Sequence, residues 1–115
     1  MDTIQFTATF PNIAPDKLAE FKQNISAALE KVRTETGVRQ YDWFFNADET
    51  VCVVRETYAD SDAILAHVAN VGALIGPMAE MGGGLELEVF GSVSAEVAEG
   101  LAGLTPTMYS HFEGL

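Results

Sequence analysis

In this chain of 115 residues, His67 is the side chain best suited to acid–base chemistry, because an imidazole takes or gives a proton near neutral pH. It is one of only two histidines, and it falls on the apolar stripe Ile64, His67, Val68, Val71 of a helical pattern. A histidine there is either a hydrogen-bonded core residue or the working end of a pocket. Just upstream, in the run Val51-Cys-Val-Val-Arg-Glu-Thr-Tyr58, Glu56 could orient the imidazole, hold a proton, or simply pair with Arg39. Arg55 could steady an anion or meet a nearby carboxylate. Tyr41 and Trp43 could stack on an aromatic ligand or carry its hydrogen bond, or they fill a sheet core or a dimer interface. Asn46 reads as turn chemistry, and His111 lies in the tail.

Other chemistries find little support. Two histidines far apart and the single Cys52 give no metal-ligand spacing, and Cys52 reads as a small buried hydrophobe in a reducing compartment. No Gly-x-Gly-x-x-Gly fingerprint is present, and Gly82-Gly83-Gly84 lacks the Lys-Ser or Lys-Thr of a phosphate loop. Six basic residues against seventeen acidic ones leave a net charge of −11, which repels phosphate backbones and anionic membranes. Neither nucleic acid nor membrane is therefore expected as a partner. The N-terminus lacks the basic and apolar segments of a secretion signal, and the apolar run from Val68 to Ala79 is broken by Gly72, Gly76 and Pro77. A cytoplasmic location is the expectation.

Periodicity supplies the elements that would position these residues. Ile4, Phe6, Ala8 and Phe10 alternate with Thr3, Gln5, Thr7 and Thr9, a strand with one buried face. Pro15 suits a first helical turn, and Leu18, Phe21, Ile25, Ala28, Leu29 and Val32 form one helical stripe up to Gly37, a C-terminal stop. Lys17, Lys22, Lys31 and Arg33 mark its solvated side. Val38 to Phe45 and Thr50 to Tyr58 read as a hairpin; a two-residue turn at Ala47-Asp48 places Trp43 opposite Cys52 and Arg39 opposite Glu56. One hairpin face carries Tyr41, Trp43, Phe45, Val54, Glu56 and Tyr58, and the pattern does not say which face meets the helices. Asp60-Ser61-Asp62 caps a second helix, with a short broken helix from Ala73 to Met81. Leu85, Leu87 and Val89 mark the last strand. Ser94 caps a short helix with Val97 and Leu101, and an apolar tail follows with Met108, Tyr109, Phe112 and Leu115. The order strand, helix, strand, strand, helix, strand predicts an α+β, ferredoxin-like split βαβ domain over residues 1–115: a four-stranded antiparallel sheet with both helices on one face, a core of about 3–92 and a tail from 93. The uncovered sheet face predicts a homodimer.

Gly37 with Tyr41-Asp42, Glu56-Thr-Tyr58, and Asp60 through Ala63-Ile64 to His67 resemble the antibiotic biosynthesis monooxygenase family of dimeric α+β barrels, which includes quinol monooxygenases. The resemblance spans roughly Ile4 to Ser92. It implies a pocket between sheet and second helix, His67 and Glu56 as catalytic residues, and Trp43, Tyr41, Tyr58 and Arg55 as substrate-binding ones. It further implies oxygenation of a small aromatic substrate, phenolic or quinol, by dioxygen with no cofactor and no metal. A non-catalytic small-molecule-binding module and a haem-binding or haem-degrading relative are the alternatives within the family.

Overall fold

The computed structural model describes residues 3–115. Strand β1 (Ile4–Phe10) buries Ile4, Phe6, Ala8 and Phe10, and its alternate residues are exposed or half-buried, as period-two patterning requires. A 3₁₀ turn at Pro15–Lys17 leads into helix α1 (Leu18–Val32), which turns Phe21, Ile25, Ala28 and Val32 inward. The hairpin strands are β2 (Val38–Phe45) and β3 (Cys52–Tyr58). Helix α2 (Ser61–Met81) starts at Asp60, whose side chain accepts a hydrogen bond from the Ala63 amide at 2.9 Å. Strand β4 (Glu86–Phe90), helix α3 (Ala95–Leu101), a 3₁₀ turn at Ala102–Leu104 and strand β5 (Thr107–Tyr109) complete the chain.

The sheet order is β2-β3-β1-β4-β5. Its first four strands pair antiparallel, with α1 and α2 over one face; inward residues of strands and helices merge in one core. This is the α+β ferredoxin-like arrangement, with five strands rather than the expected four. The fifth comes from the tail. It lies parallel to β4, and a parallel neighbour needs a crossover connection, here made by α3 and the 3₁₀ turn.

Three local expectations are corrected. The hairpin is shifted by two residues: Trp43 pairs with Val54 and Tyr41 with Glu56, so side chains keep their faces but change partners. A six-residue connection, Asn46–Val51, replaces the two-residue turn. The Asn46 side chain holds it by accepting hydrogen bonds from the Thr50 and Val51 amides at 3.0 and 2.9 Å. Arg39 falls in a bulge, where its guanidinium donates to the Thr36 carbonyl at 2.9 Å instead of pairing with Glu56. Helix α2 runs unbroken through Gly72, Gly76 and Pro77, because Ile64, His67, Val71 and Met78 anchor one side of it and outweigh the single backbone hydrogen bond lost at the proline. By length and composition this helix is long and apolar enough to cross a membrane, although that anchored side packs on the domain.

Gly37 serves packing rather than helix termination. It lies beyond the end of α1, and a Cβ there would collide with the Cβ of Ala63 in the first turn of α2. Its carbonyl also accepts the Ala59 amide at 2.8 Å, tying the start of β2 to the entry of α2. Gly37→Ala is expected to destabilise the fold by about 1–3 kcal/mol through overpacking. In urea titrations the midpoint should fall with little change in slope.

Candidate functional site

Strand β3 lies between β1 and β2, so an inward side chain on it is walled by both neighbours. Glu56 is such a side chain. Its register partners are Phe6 and Tyr41, and it is 7% exposed. Tyr58, two residues on and on the same face, donates its hydroxyl hydrogen bond to Glu56 Oε1. Above the pair lies α2, whose stripe places His67 with Nε2 at 3.8 Å from that same carboxyl oxygen.

The other ring nitrogen explains why His67 holds this orientation. Nδ1 lies 3.1 Å from Oε1 of Glu35, in the turn that follows α1. One helical turn beyond His67, Asn70 donates to the second oxygen of Glu35 at 2.8 Å and to the Lys31 carbonyl at 2.9 Å. That carbonyl is in the last turn of α1 and also accepts from the Thr34 amide and hydroxyl at 3.2 and 2.7 Å. Asn70 therefore ties this capped helix end to the glutamate with one amide group. The result is a chain of polar contacts from Asn70 through Glu35, His67 and Glu56 to Tyr58.

Burial sets the proton affinities. Removal from water pushes the Glu56 carboxyl up to about 7; the Tyr58 hydrogen bond pulls the other way, and the charge of Glu35 adds to the rise. Burial lowers the basicity of His67, with Glu35 opposing the change. Burial also raises the Tyr41 phenol well above its ordinary value, aided by Glu56 and then Glu35, so Tyr41 stays a neutral hydrogen-bond donor. A neutral His67 donates Nδ1–H to Glu35 and leaves the Nε2 lone pair free. Near neutral pH the Glu56 carboxyl therefore gains and loses its proton beside a neutral imidazole whose Nε2 lies 3.8 Å away.

His67, Glu56, Tyr41 and Trp43 line a cavity of about 500 Å³. This is the usual size of a small-molecule site. The rest of its wall is almost wholly apolar: Phe6, Ala8 and Phe10 from β1, Val71 and Ile75 from α2, and Leu101 with Leu104 from the C-terminal crossover. Polar groups therefore gather at one place in an apolar chamber.

Of the residues singled out from sequence, His67, Glu56, Tyr41 and Trp43 come together. Tyr58 is fully buried behind Glu56 and holds it. Arg55 faces the opposite side of the sheet, in register with Asp42. His111 stands in the exposed tail beside Tyr109, apart from the site. Trp43 packs its ring against Phe10, and its indole N–H is sealed in without a partner. Sequence reasoning missed Glu35 and Asn70. Asn70 did carry a signal, a second polar residue three positions after His67 on an apolar helix; Glu35 sits in an aperiodic turn and carried none. The wall residues of the C-terminal crossover were also missed. Among the described residues no group of three or more His, Cys, Asp or Glu side chains is arranged to hold a metal ion.

A family model described as antibiotic biosynthesis monooxygenase matches residues 6–74. Among solved structures, a Caulobacter crescentus CB15 protein assigned the same family description shares 30% identity and a TM-score of 0.65, over 81% of this chain and 92% of its own. MupZ from Pseudomonas fluorescens shares the fold over 98% of this chain and 92% of its own, with a TM-score of 0.79 and 22% identity. Rv0793 from Mycobacterium tuberculosis does so over 80% and 96%, with a TM-score of 0.69 and 21% identity. No curated protein matches the sequence.

The raised Glu56 affinity has a thermodynamic consequence. A carboxyl whose proton is held more tightly in the folded state, about 7 against 4.5, loses folding free energy as pH climbs through that interval. At pH 8 the full penalty applies, on the order of 3 kcal/mol. Glu56→Gln keeps an acceptor for Tyr58 but cannot ionise. It is therefore expected to be more stable than the parent at pH 8 and to lose that advantage near pH 4.5, as read by denaturant midpoints across the range. An advantage that does not change with pH would contradict the assignment.

Proposed function

The chain belongs to the antibiotic biosynthesis monooxygenase family, and on that premise we propose that it oxygenates a small phenol or quinol with dioxygen and without a bound cofactor. The observation that carries this reading is the His67–Glu56 pair at the polar end of the apolar cavity, with Nε2 free and Nδ1 anchored on Glu35.

Nε2 takes the phenol proton, and the ring lies between sheet and α2 against Trp43. Tyr41, held neutral, donates a hydrogen bond to the phenolate oxygen. The anion gives one electron to dioxygen, and the phenoxyl and superoxide radicals join at a ring carbon that bears hydrogen. Imidazolium protonates the resulting peroxide. The base then removes the hydrogen from that carbon, its electron pair forms the new carbonyl, and the O–O bond breaks with loss of water, Glu56 supplying the proton. Phenol and dioxygen become quinone and water, and the substrate provides all the electrons. The protein contributes position, dryness and four proton transfers, three through His67 and one from Glu56.

Arg55 lies outside the chamber and belongs in this scheme to the other sheet face. That face exposes Phe44 and a stacked Phe90–Tyr109 pair with centroids 4.9 Å apart. It is the surface through which we propose that two copies form a homodimer.

The test is dioxygen consumption with a panel of substituted hydroquinones and naphthols. His67→Ala is expected to lower kcat/KM by about 100-fold or more, and undiminished uptake would refute the role of His67. Saturable ligand binding without uptake would instead identify a binding module. Light scattering after gel filtration should give the mass of a dimer, and Phe44→Asp should shift it toward the monomer.

A further inference from the structure

Nothing in the His67–Glu56 pair requires oxygen. We propose a second, oxygen-independent activity for this site: keto–enol proton transfer on a neutral, flat, largely apolar ketone. Three observations select that reaction. His67 on α2 and Glu56 on β3 face each other across one end of the cavity and both line it, with Nε2 3.8 Å from the Glu56 oxygen that Tyr58 holds. A ketone enolises when one group removes a proton from the carbon beside the carbonyl while another protonates the oxygen two bonds away, so the reaction takes a base and an acid that reach neighbouring atoms of one guest. The anchoring on either side also fixes the roles. Glu35 occupies Nδ1, so Nε2 is the base; Tyr58 occupies Oε1 of Glu56, so the acid proton is delivered from the other oxygen of a carboxyl held in place.

The ligand class follows from charge and lining. Glu35 and Glu56 flank the imidazole, and all six Lys and Arg side chains lie exposed on the surface. An anionic ligand would find no fixed cation in the chamber. A neutral carbonyl fits, held by the Tyr41 hydroxyl, with its apolar body against Phe10, Val71 and Leu101. In the forward step the Cα–H bond breaks and its electron pair forms the C=C bond. The carbonyl π pair takes the Glu56 proton, leaving enol, imidazolium and carboxylate. The reverse step returns both protons, so no oxidant or reductant enters. Burial lowers the basicity of His67 and raises the proton affinity of Glu56, so in the resting pair the imidazole is the free base and the carboxyl holds the proton.

The test follows exchange of the C2 protons of 1-tetralone in D₂O by NMR, under argon. The parent protein is expected to exceed buffer at least ten-fold. Because His67 reaches the ring from one side, enzymatic exchange should pause at one deuterium per molecule, whereas solvent exchange proceeds to two. His67→Ala should fall to the buffer rate, Glu56→Gln should fall at least ten-fold, and His111→Ala should match the parent. Thermal melts verify folding, and if His67→Ala does not fold, His67→Gln replaces it. Exchange at the buffer rate by a protein that consumes dioxygen with a hydroquinone overturns this inference and leaves the oxygenase reading intact. Exchange under argon by a protein that never consumes dioxygen supports it and removes that reading. Exchange that survives in both His67→Gln and Glu56→Gln also overturns it.

Discussion

The hydrogen bond between Glu35 and His67 is the contact on which the site depends, because it is formed where no fixed cation can balance charge. Both side chains are 7% exposed, Glu56 is buried on the other side of the ring, and all six Lys and Arg residues are on the surface. Two carboxylates and a neutral imidazole in low dielectric would leave an uncompensated double charge, which costs several kcal/mol. Protons are the only available compensation. One resides on Glu56 or on the imidazole, and the contact to Glu35 sets which ring nitrogen is left to exchange it. A site whose double charge is halved by a mobile proton, rather than by an arginine, is suited to moving protons.

The fold delivers this arrangement from three separate sources. Sheet register sets Glu56 between Phe6 and Tyr41. The apolar stripe of α2 sets His67 and, one turn later, Asn70. The turn after α1 brings in Glu35, whose amide bonds the Val32 carbonyl, and Asn70 bonds both that glutamate and the Lys31 carbonyl. Gly37 lets the start of β2 approach Ala63 closely enough for the turn and α2 to meet. Tightening any of these joints moves a titratable group relative to its partner, so packing at Gly37 and proton affinity at His67 belong to one mechanical unit.

Much of this was legible in residue patterns, and the gaps have physical reasons. Alternation in β1 and the stripe of α1 reported their buried faces directly, since burial acts residue by residue. The hairpin kept its faces while slipping by two, because period two is blind to a shift of two; Asn46, by bonding the Thr50 and Val51 amides, selects the longer loop. Helix breakers in α2 misled, because tertiary anchoring at Val71 and Met78 outweighs local propensity. Strand β5 was hidden because a three-residue parallel edge strand takes its stability from β4 rather than from its own composition. His67, Glu56, Tyr41 and Trp43 could be nominated from residue type and pattern. Glu35 could not, since a contact across 32 positions leaves no local trace.

The division of the cavity wall bears on what the site recognises. His67, Glu56, Tyr41 and Trp43 fall within residues 6–74, the part shared with the family, whereas Leu85, Leu87, Gly100, Leu101, Gly103 and Leu104 fall beyond it. The polar end of the cavity therefore belongs to the shared domain, and part of its apolar wall is built by the following strand and crossover. An apolar wall discriminates by shape, at roughly 1–3 kcal/mol per methylene gained or lost. Polar groups, by contrast, fix orientation and the atom at which a proton moves. On the proposed function, chemistry and selectivity are thus carried by different stretches of one chain, the His67–Glu56 pair by the first and the guest's shape by the crossover that closes over it.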